Sequence, residues 1–249
     1  MAACPFGAIE DKSCIVEVVN ELMSDGNVYA ITAPAIGGQF NIDVKSCRPA
    51  FLSYIEKMFP SQKGRISKTV SPMVATGRYI KLKDQNAKVV FIGPCTAKKN
   101  EIMLESVKDS VDYVITFEEL FALLDAFEID IDKCNDIEVN DASILGRGFA
   151  AEGGIINAIE GYIKEMGLEI EFNPIKSSGG IEIKKTMTMA KSNKLNGNFI
   201  EGMMCEGGCI NGPSKLISIK KGKYRLNKIN KQGKIENISS RLLGAVWLV

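Results

Sequence analysis

Two cysteines stand four residues apart in a glycine-rich stretch near the end of the chain. They are Cys205 and Cys209, in the segment EGMMCEGGCINGP that runs from Glu201 to Pro213. The chain has no histidine, so a zinc site here could use only thiolates or carboxylates. Clustered thiolates most naturally hold zinc or an iron–sulfur cluster. We expect the surrounding glycines to let the backbone approach a bulky inorganic group and donate N–H groups to its sulfurs.

Two further cysteines complete a candidate set of four thiolates. Cys95, in FIGPCTAKKNEI, follows a predicted strand at the edge where open α/β sheets present ligands, and Lys98 comes shortly after it. Cys47, in VKSCRPAF, precedes a predicted helix and is the natural fourth ligand of a four-cysteine site. Cys14 and Cys134 lie almost inside apolar runs, and we expect them to be inert, buried thiols.

The composition is that of a globular protein. A chain of 249 residues with 45% hydrophobic residues can form one large domain or two lobes. Lys and Arg number 31 against 30 Asp and Glu, so no basic field indicates binding to nucleic acid or to an anionic membrane. No apolar run is long enough to span a bilayer, and the N-terminus lacks the features of a signal peptide. We therefore expect a cytoplasmic protein, in which an odd count of seven cysteines favours metal binding over disulfides.

The hydrophobic pattern alternates between helical and strand periodicity, which predicts an α/β fold. Pro49 and Pro72 occupy the favoured first turn of two predicted helices, and Thr116 with Glu119 forms a capping box for a third. The segment from Lys220 to Lys234 carries seven basic residues and no acidic one, and we interpret it as a solvated strand pair or tail. The predicted helices are Ile15–Met23, Pro49–Phe59, one from Ser71, one ending at Ala126, Gly154–Met166 and Ile181–Ser192. The predicted strands are VYAITAPA, which stops at Pro34, then AKVVFIG, DYVITF and LEIEF.

These motifs together resemble the [FeFe]-hydrogenase large subunit, in the domain that binds the catalytic H-cluster. FIGPCTAKK and EGMMCEGGCINGP are similar to the second and third signature motifs of that family. AITAPAIGGQF, RPAFLSYIEKMFP, TVSPMVATGRYIK and RGFAAEGGI resemble further family segments in the family's order, so that the likeness extends from about Ala2 to Gly233. Residues 1–12 resemble the end of a ferredoxin-like module, in which Cys4 lacks its co-ligands.

The resemblance implies a fold of two α/β lobes, each a mainly parallel sheet flanked by helices, with a cluster in the cleft between them. The first lobe would comprise residues 13–130 and the second residues 131–249. The implied cofactor is a [4Fe–4S] cluster held by four cysteines, one of which bridges to a diiron subcluster with CO and CN⁻ ligands. A ferredoxin-like electron carrier and the hydrogenase maturation enzymes are the implied partners.

Motif positions in the family imply a role for each residue of the site. Cys95 and Cys205 would be ligands of the [4Fe–4S] cluster, and Cys209 would be the bridging thiolate. Lys98 would donate a hydrogen bond to a cyanide, since an ammonium beside an anionic cluster is favourable. Met203 would flank the diiron subcluster, although a methionine that only packs in the core fits the sequence equally well.

The sequence departs from the family at the first cysteine motif. The family pattern is Cys-Cys-Pro, with a proton-relay cysteine followed by a ligand, whereas this chain has Cys47, Arg48 and Pro49. Arginine cannot coordinate iron. Either Cys47 shifts by one residue to become the fourth ligand, which we favour, or it keeps the relay position and the cluster has three thiolates. The long segment that precedes this motif in the family is reduced to NIDVK, which removes acidic residues of the proton path.

Three functions remain open at this point. The first is reversible interconversion of H₂ with protons and electrons at an H-cluster. The second is a binding or sensory module that holds an iron–sulfur cluster or zinc without hydrogen turnover. The third is a remnant without metal, whose thiols are merely exposed.

Overall fold

The computed structural model describes residues 13–33, 49–67, 69–135 and 144–232. Short helical turns occur at Pro60–Arg65, Glu105–Val107, Ile131–Lys133, Gly148–Ala150 and Cys209–Asn211. The helices are α1 (Ile15–Leu22), α2 (Pro49–Met58), α3 (Pro72–Lys83), α4 (Ala97–Glu101), α5 (Phe117–Ala126), α6 (Ile144–Arg147), α7 (Gly154–Met166), α8 (Gly180–Lys191) and α9 (Ile219–Gln232). The strands are β1 (Val28–Thr32), β2 (Lys88–Gly93), β3 (Tyr113–Thr116), β4 (Pro174–Ser178) and β5 (Phe199–Met203).

The described strands form two parallel sheets. The first has the order β1-β2-β3, and Val28 of β1 pairs with Lys88 of the central strand. The second consists of β4 and β5, in register from Pro174 opposite Phe199 to Ser178 opposite Met203. Parallel strands are covered by helices on both faces, as their crossover connections require. The predicted fold, mainly parallel sheets flanked by helices, is confirmed.

The first sheet is buried on both faces. Val90 and Ile92 of β2 point into one apolar cluster, while Val89 and Phe91 point into the other, as the two-residue period of a strand dictates. Helices α1, α5 and α9 cover the first face, and α3 covers the second. Residues of the first face are Val18, Ile115, Phe117, Ala150, Ile210 and Leu226.

The second sheet takes its cover from both halves of the chain. Tyr54 and Ile55 of α2 pack with Ile183 and Met187 of α8 beside β5. Helix α9 returns to the first sheet, where Leu226 is buried. Since α2 covers the second sheet and α9 the first, the two halves interlock, and the division at residue 130 stays a prediction.

Two local predictions were wrong. The segment LEIEF forms no strand: it has no regular secondary structure, Leu168 and Ile170 are exposed, and the strand begins at Pro174. The alternation of apolar and polar residues predicted a strand, but the apolar residues Leu168 and Ile170 face solvent instead of a core. The basic stretch is the helix α9, whose buried Gly222 and Leu226 lie on one side and whose lysines lie mostly on the other. Within the described ranges, no helix combines the length and apolarity needed to cross a bilayer.

Candidate metal centre

The second and third signature motifs, FIGPCTAKK and EGMMCEGGCINGP, each place their first cysteine just after the carboxyl end of a parallel strand. Cys95 is the second residue after β2, and Cys205 is the second residue after β5. Helix α4 begins shortly after Cys95, and a short helical turn begins at Cys209. Open α/β sheets place their ligand sites at this edge, because the loops that leave the strands converge there.

The two motif loops touch each other directly. The backbone N–H of Ser214 donates to the carbonyl oxygen of Pro94 over 3.2 Å. A Cβ atom added to Gly212 would lie 2.6 Å from the same oxygen, so only glycine allows this approach. The residue before Cys95 and the residues after Cys209 are therefore in contact, which joins the first sheet to the second at the cysteines.

The thiols of Cys95 and Cys205 interact electrostatically. Burial, followed by the charge of Cys95, raises the pKa of Cys205 to about 12, and the ammonium of Lys215 acts in the opposite direction. Burial also raises the pKa of Cys95, while the Lys98 ammonium and the backbone N–H groups of Ala97 and Lys98 lower it. Hydrogen bonds from backbone N–H groups to a cysteine sulfur are the pattern that tunes iron–sulfur ligands, so the surroundings of Cys95 fit a metal-bound thiolate.

The donor set fits an iron–sulfur cluster better than a single ion. In the part of the chain that is described, no three cysteine or carboxylate side chains converge closely enough to hold one metal ion. A zinc site built from Cys95, Cys205 and Cys209 would require that convergence. An iron–sulfur cluster carries its thiolates on separate iron atoms, so the ligands stand farther apart. Three half-buried thiols on loops that meet are compatible with such a cluster.

The glycines of the third motif pack closely against other parts of the protein, and the expectation that they also let the backbone approach a cluster stays a prediction. A Cβ on Gly202 would lie 2.2 Å from the ring of Phe51, and one on Gly208 would lie 2.6 Å from the carbonyl oxygen of Ala150. Gly207 faces the side chain of Ile219 in the same way. These glycines let helices and loops close around the cysteines, a role that no local sequence signal distinguishes from room for a ligand.

Lys98 is held by the protein itself. Its side chain is 1% exposed, and its ammonium lies 2.6 Å from the carboxylate of Glu101 and 3.1 Å from the hydroxyl of Ser71. The ammonium also stands over the ring of Phe91, 5.6 Å from its centre. The hydrogen bond from Lys98 to a cyanide ligand stays a prediction.

The other residues singled out from the sequence are placed as follows. Met203 is the last residue of β5, is 2% exposed and accepts a backbone hydrogen bond from Gly179, so its environment is that of a packed core residue. Cys134 is exposed, so the expectation of a buried thiol was wrong for it. It follows a helical turn at the surface, and the apolar residue Ile131 beside it is exposed as well. Cys14 is half-buried, and burial raises its pKa.

Cys4, Cys47 and Arg48 lie outside the described residues, and so does the ferredoxin-like segment 1–12. The description resumes at Pro49, which is buried at the start of α2. Helix α2 packs against α4, which follows Cys95, and against β5, which leads to Cys205.

Sequence reasoning missed two polar residues beside the third motif. The hydroxyl of Ser178 accepts a hydrogen bond from Gly207 and donates one to Glu152. Glu152 belongs to the motif RGFAAEGGI, which was recognised, and Ser178 ends a strand that was not predicted. A polar residue at the carboxyl end of a parallel strand was the available signal.

Comparisons with known proteins agree with this architecture. The structure of HydA(deltaEFG), which revealed stepwise assembly of the [FeFe]-hydrogenase H-cluster, superposes with a TM-score of 0.71 over 95% of both chains, at 17% sequence identity. Iron hydrogenase 1 of Clostridium pasteurianum is 28% identical over 210 residues, covering 67% of this chain and 36% of that protein. The periplasmic [Fe] hydrogenase large subunit of Nitratidesulfovibrio vulgaris is 25% identical over 216 residues, covering 69% of this chain and 51% of that protein.

The chain therefore spans about a third to a half of the length of these curated relatives. The model of one family, described as iron only hydrogenase large subunit, C-terminal domain, matches residues 38–213. That range includes the loops of Cys95, Cys205 and Cys209 and the described strands other than β1, which precedes it. This chain belongs to the family of the C-terminal domain of the iron only hydrogenase large subunit.

Proposed function

We propose that this chain binds an iron–sulfur cluster where the strand-end loops of its two sheets meet. The observation that carries the proposal is the direct contact between the two cysteine motifs, from Pro94 to Gly212 and Ser214. Cys95, Cys205 and Cys209 would supply three thiolates from these loops. Cys47, just ahead of the buried start of α2, would supply the fourth.

The chain's own residues prepare the site in three ways. Burial raises the pKa of the Cys95 thiol, and hydrogen bonds from the backbone N–H groups of Ala97 and Lys98 offset part of that rise, in the direction that a metal-bound thiolate requires. The Lys98 ammonium acts on Cys95 in the direction that stabilises a thiolate, and little water reaches this ammonium because Lys98 is buried. When bound, a [4Fe–4S] cluster would supply one-electron transfer, and a diiron subcluster would supply reversible H₂ oxidation and proton reduction.

Electrons would reach the site across helix α9. Its exposed face carries Lys220, Lys221 and Lys228 with no acidic residue, which suits an acidic partner such as a ferredoxin-like carrier. The Lys223 ammonium lies 3.0 Å from the position of a Cβ on Gly207, so this helix reaches the cysteine loop itself. We also propose a cytoplasmic location, where thiols stay reduced, and loading by hydrogenase maturation enzymes.

A specific observation favours a second candidate, a cluster-binding module without hydrogen turnover. The Lys98 ammonium already has an acceptor at 2.6 Å in Glu101 and another at 3.1 Å in Ser71. Arg48 stands where the family pattern has a ligand cysteine. A module of this kind would keep the electron-transfer cluster and lack the chemistry of the diiron subcluster.

Iron and sulfide analysis of the anaerobically reconstituted chain tests the proposal. We expect about four iron and four sulfide per chain, the content of one [4Fe–4S] cluster. Infrared spectra recorded after exposure to maturation enzymes separate the two candidates, since CO and CN⁻ bands require the diiron subcluster. A chain that binds zinc in preference to iron, or no metal at all, would overturn the proposal.

A further inference from the structure

Three hydrogen bonds close a ring around Gly207, the residue midway between Cys205 and Cys209. The N–H of Gly207 donates to the hydroxyl oxygen of Ser178 over 3.3 Å. That hydroxyl donates to the carboxylate of Glu152 over 2.9 Å. The N–H of Glu152 donates to the carbonyl oxygen of Gly207 over 3.3 Å, which completes the ring. We call Glu152, Ser178 and Gly207 the loop clasp.

The loop needs such support because of its backbone conformation. Gly207 and Gly208 have φ angles of +75° and +108°, in the region that glycine enters without a steric penalty. Glycine is also the residue with the most conformational freedom in the unfolded chain, so fixing two glycines in succession costs conformational entropy. The clasp satisfies both backbone polar groups of Gly207 and holds it in one conformation.

Ser178 is itself fixed by the second sheet. It ends β4 opposite Met203 of β5, and its N–H donates to the carboxylate of Glu182 over 3.0 Å. The preceding Ser177 points elsewhere, since its hydroxyl donates to Thr186 of α8 over 3.0 Å. Ser177 and Ser178 are both buried and both make side-chain hydrogen bonds, but of the two only Ser178 bonds to the cysteine loop.

We propose that Glu152 and Ser178 are positioning residues that hold Cys205 and Cys209 in ligand geometry before a cluster is bound. The inference rests on the proposed function only for the identity of the ligand. The Glu152 carboxylate strengthens the clasp through a charge-assisted hydrogen bond, which is stronger than a neutral one. It also places a negative charge beside the loop, so it disfavours reduction of a cluster held there.

Thiol alkylation of the metal-free chain tests the clasp without any cluster. Exposed Cys134 in the same molecule serves as the internal reference, and each rate is followed by mass spectrometry. We expect Ser178→Ala to raise the alkylation rates of Cys205 and Cys209 about fivefold for each hydrogen bond lost. Ser177→Ala also loses a buried hydrogen bond and should lower the melting temperature similarly, yet leave these rates unchanged.

Conservative variants separate positioning from general stability. Ser178→Thr keeps the hydroxyl and should restore slow alkylation, which also covers the case in which Ser178→Ala folds poorly. After reconstitution, Glu152→Gln should shift the midpoint potential of the cluster to a more positive value, because a negative charge has been removed. Equal alkylation rates in Ser178→Ala and Ser177→Ala would overturn the inference. Altered rates in a chain that binds no iron would support the clasp and refute only the proposed function.

Discussion

Gly212→Ala is the substitution that most sharply tests the contact between the two cysteine motifs. Its added Cβ would lie 2.6 Å from the carbonyl oxygen of Pro94 and 2.8 Å from the Pro94 side chain. An ordinary contact distance is about 3.5 Å, so the two loops must separate by about 0.9 Å. The backbone of Gly212 has φ −58°, which alanine adopts without strain, so the clash alone causes the effect.

The expected cost follows from overpacking a rigid contact. Forcing an extra methyl group into such a contact costs about 1–3 kcal/mol, because backbone on both sides has to move. For a chain of this length each kcal/mol lowers the melting temperature by about 2–4 °C. The same movement stretches the hydrogen bond from Ser214 to Pro94 and displaces Cys209 from Cys95, so iron content should fall together with stability.

Gly180→Ala is the matched control. A Cβ at Gly180 meets nothing within 4 Å, at the first turn of α8. Alanine there should be neutral or stabilise the chain by about 0.4–1 kcal/mol through the unfolded state. Thermal unfolding followed by circular dichroism, with iron analysis of each reconstituted variant, provides the comparison. If Gly212→Ala matched Gly180→Ala in both measurements, the inferred contact between the motifs would be refuted.

Three further predictions address the ligands and the buried charge. Cys205→Ala should abolish iron incorporation, whereas Cys14→Ala should leave it intact. Equal losses of iron would show that the assignment of Cys205 as a ligand and Cys14 as an inert thiol is wrong. Arg48→Cys should leave iron and sulfide at about four of each per chain, with little hydrogen evolution, because Cys47 already supplies the fourth thiolate; a marked rise in either would show that the wild-type cluster has only three thiolates. Glu101→Ala leaves the buried Lys98 ammonium without its carboxylate, so it should lower the free energy of unfolding, measured by chemical denaturation, by about 3–5 kcal/mol. Glu56→Ala, in the exposed pair with Lys63, should cost at most about 1 kcal/mol, and similar costs would contradict the burial argument.

Local signals predicted most of the first sheet. The predicted segments VYAITAPA and AKVVFIG contain β1 and β2, because runs of β-branched residues bounded by turn residues favour buried strands. The capping box of Thr116 and Glu119 is present, with the Thr116 side chain bonded to the Glu119 N–H and the Glu119 carboxylate bonded to the Thr116 N–H. These features depend on neighbours within a few residues, so a sequence pattern can capture them.

The rest depends on contacts between distant residues. Strand β4 begins at a proline and ends in two serines, a composition that predicts a loop, and it is a strand because β5 pairs with it. The packing of Gly202 against Phe51 joins residues far apart in the sequence, so the motif alone could not assign that glycine's role. The loop clasp is equally non-local, since it joins the start of α7, the end of β4 and the third motif.

The central claim is that Cys95, Cys205 and Cys209 share one iron–sulfur cluster. Anomalous diffraction at the iron absorption edge, from crystals of the anaerobically reconstituted chain, tests it most directly. We predict a single compact iron peak at the junction of the two sheets, bonded to all three sulfurs. Iron located elsewhere, or a structure in which one of the three sulfurs points into a separate apolar core, would contradict the account.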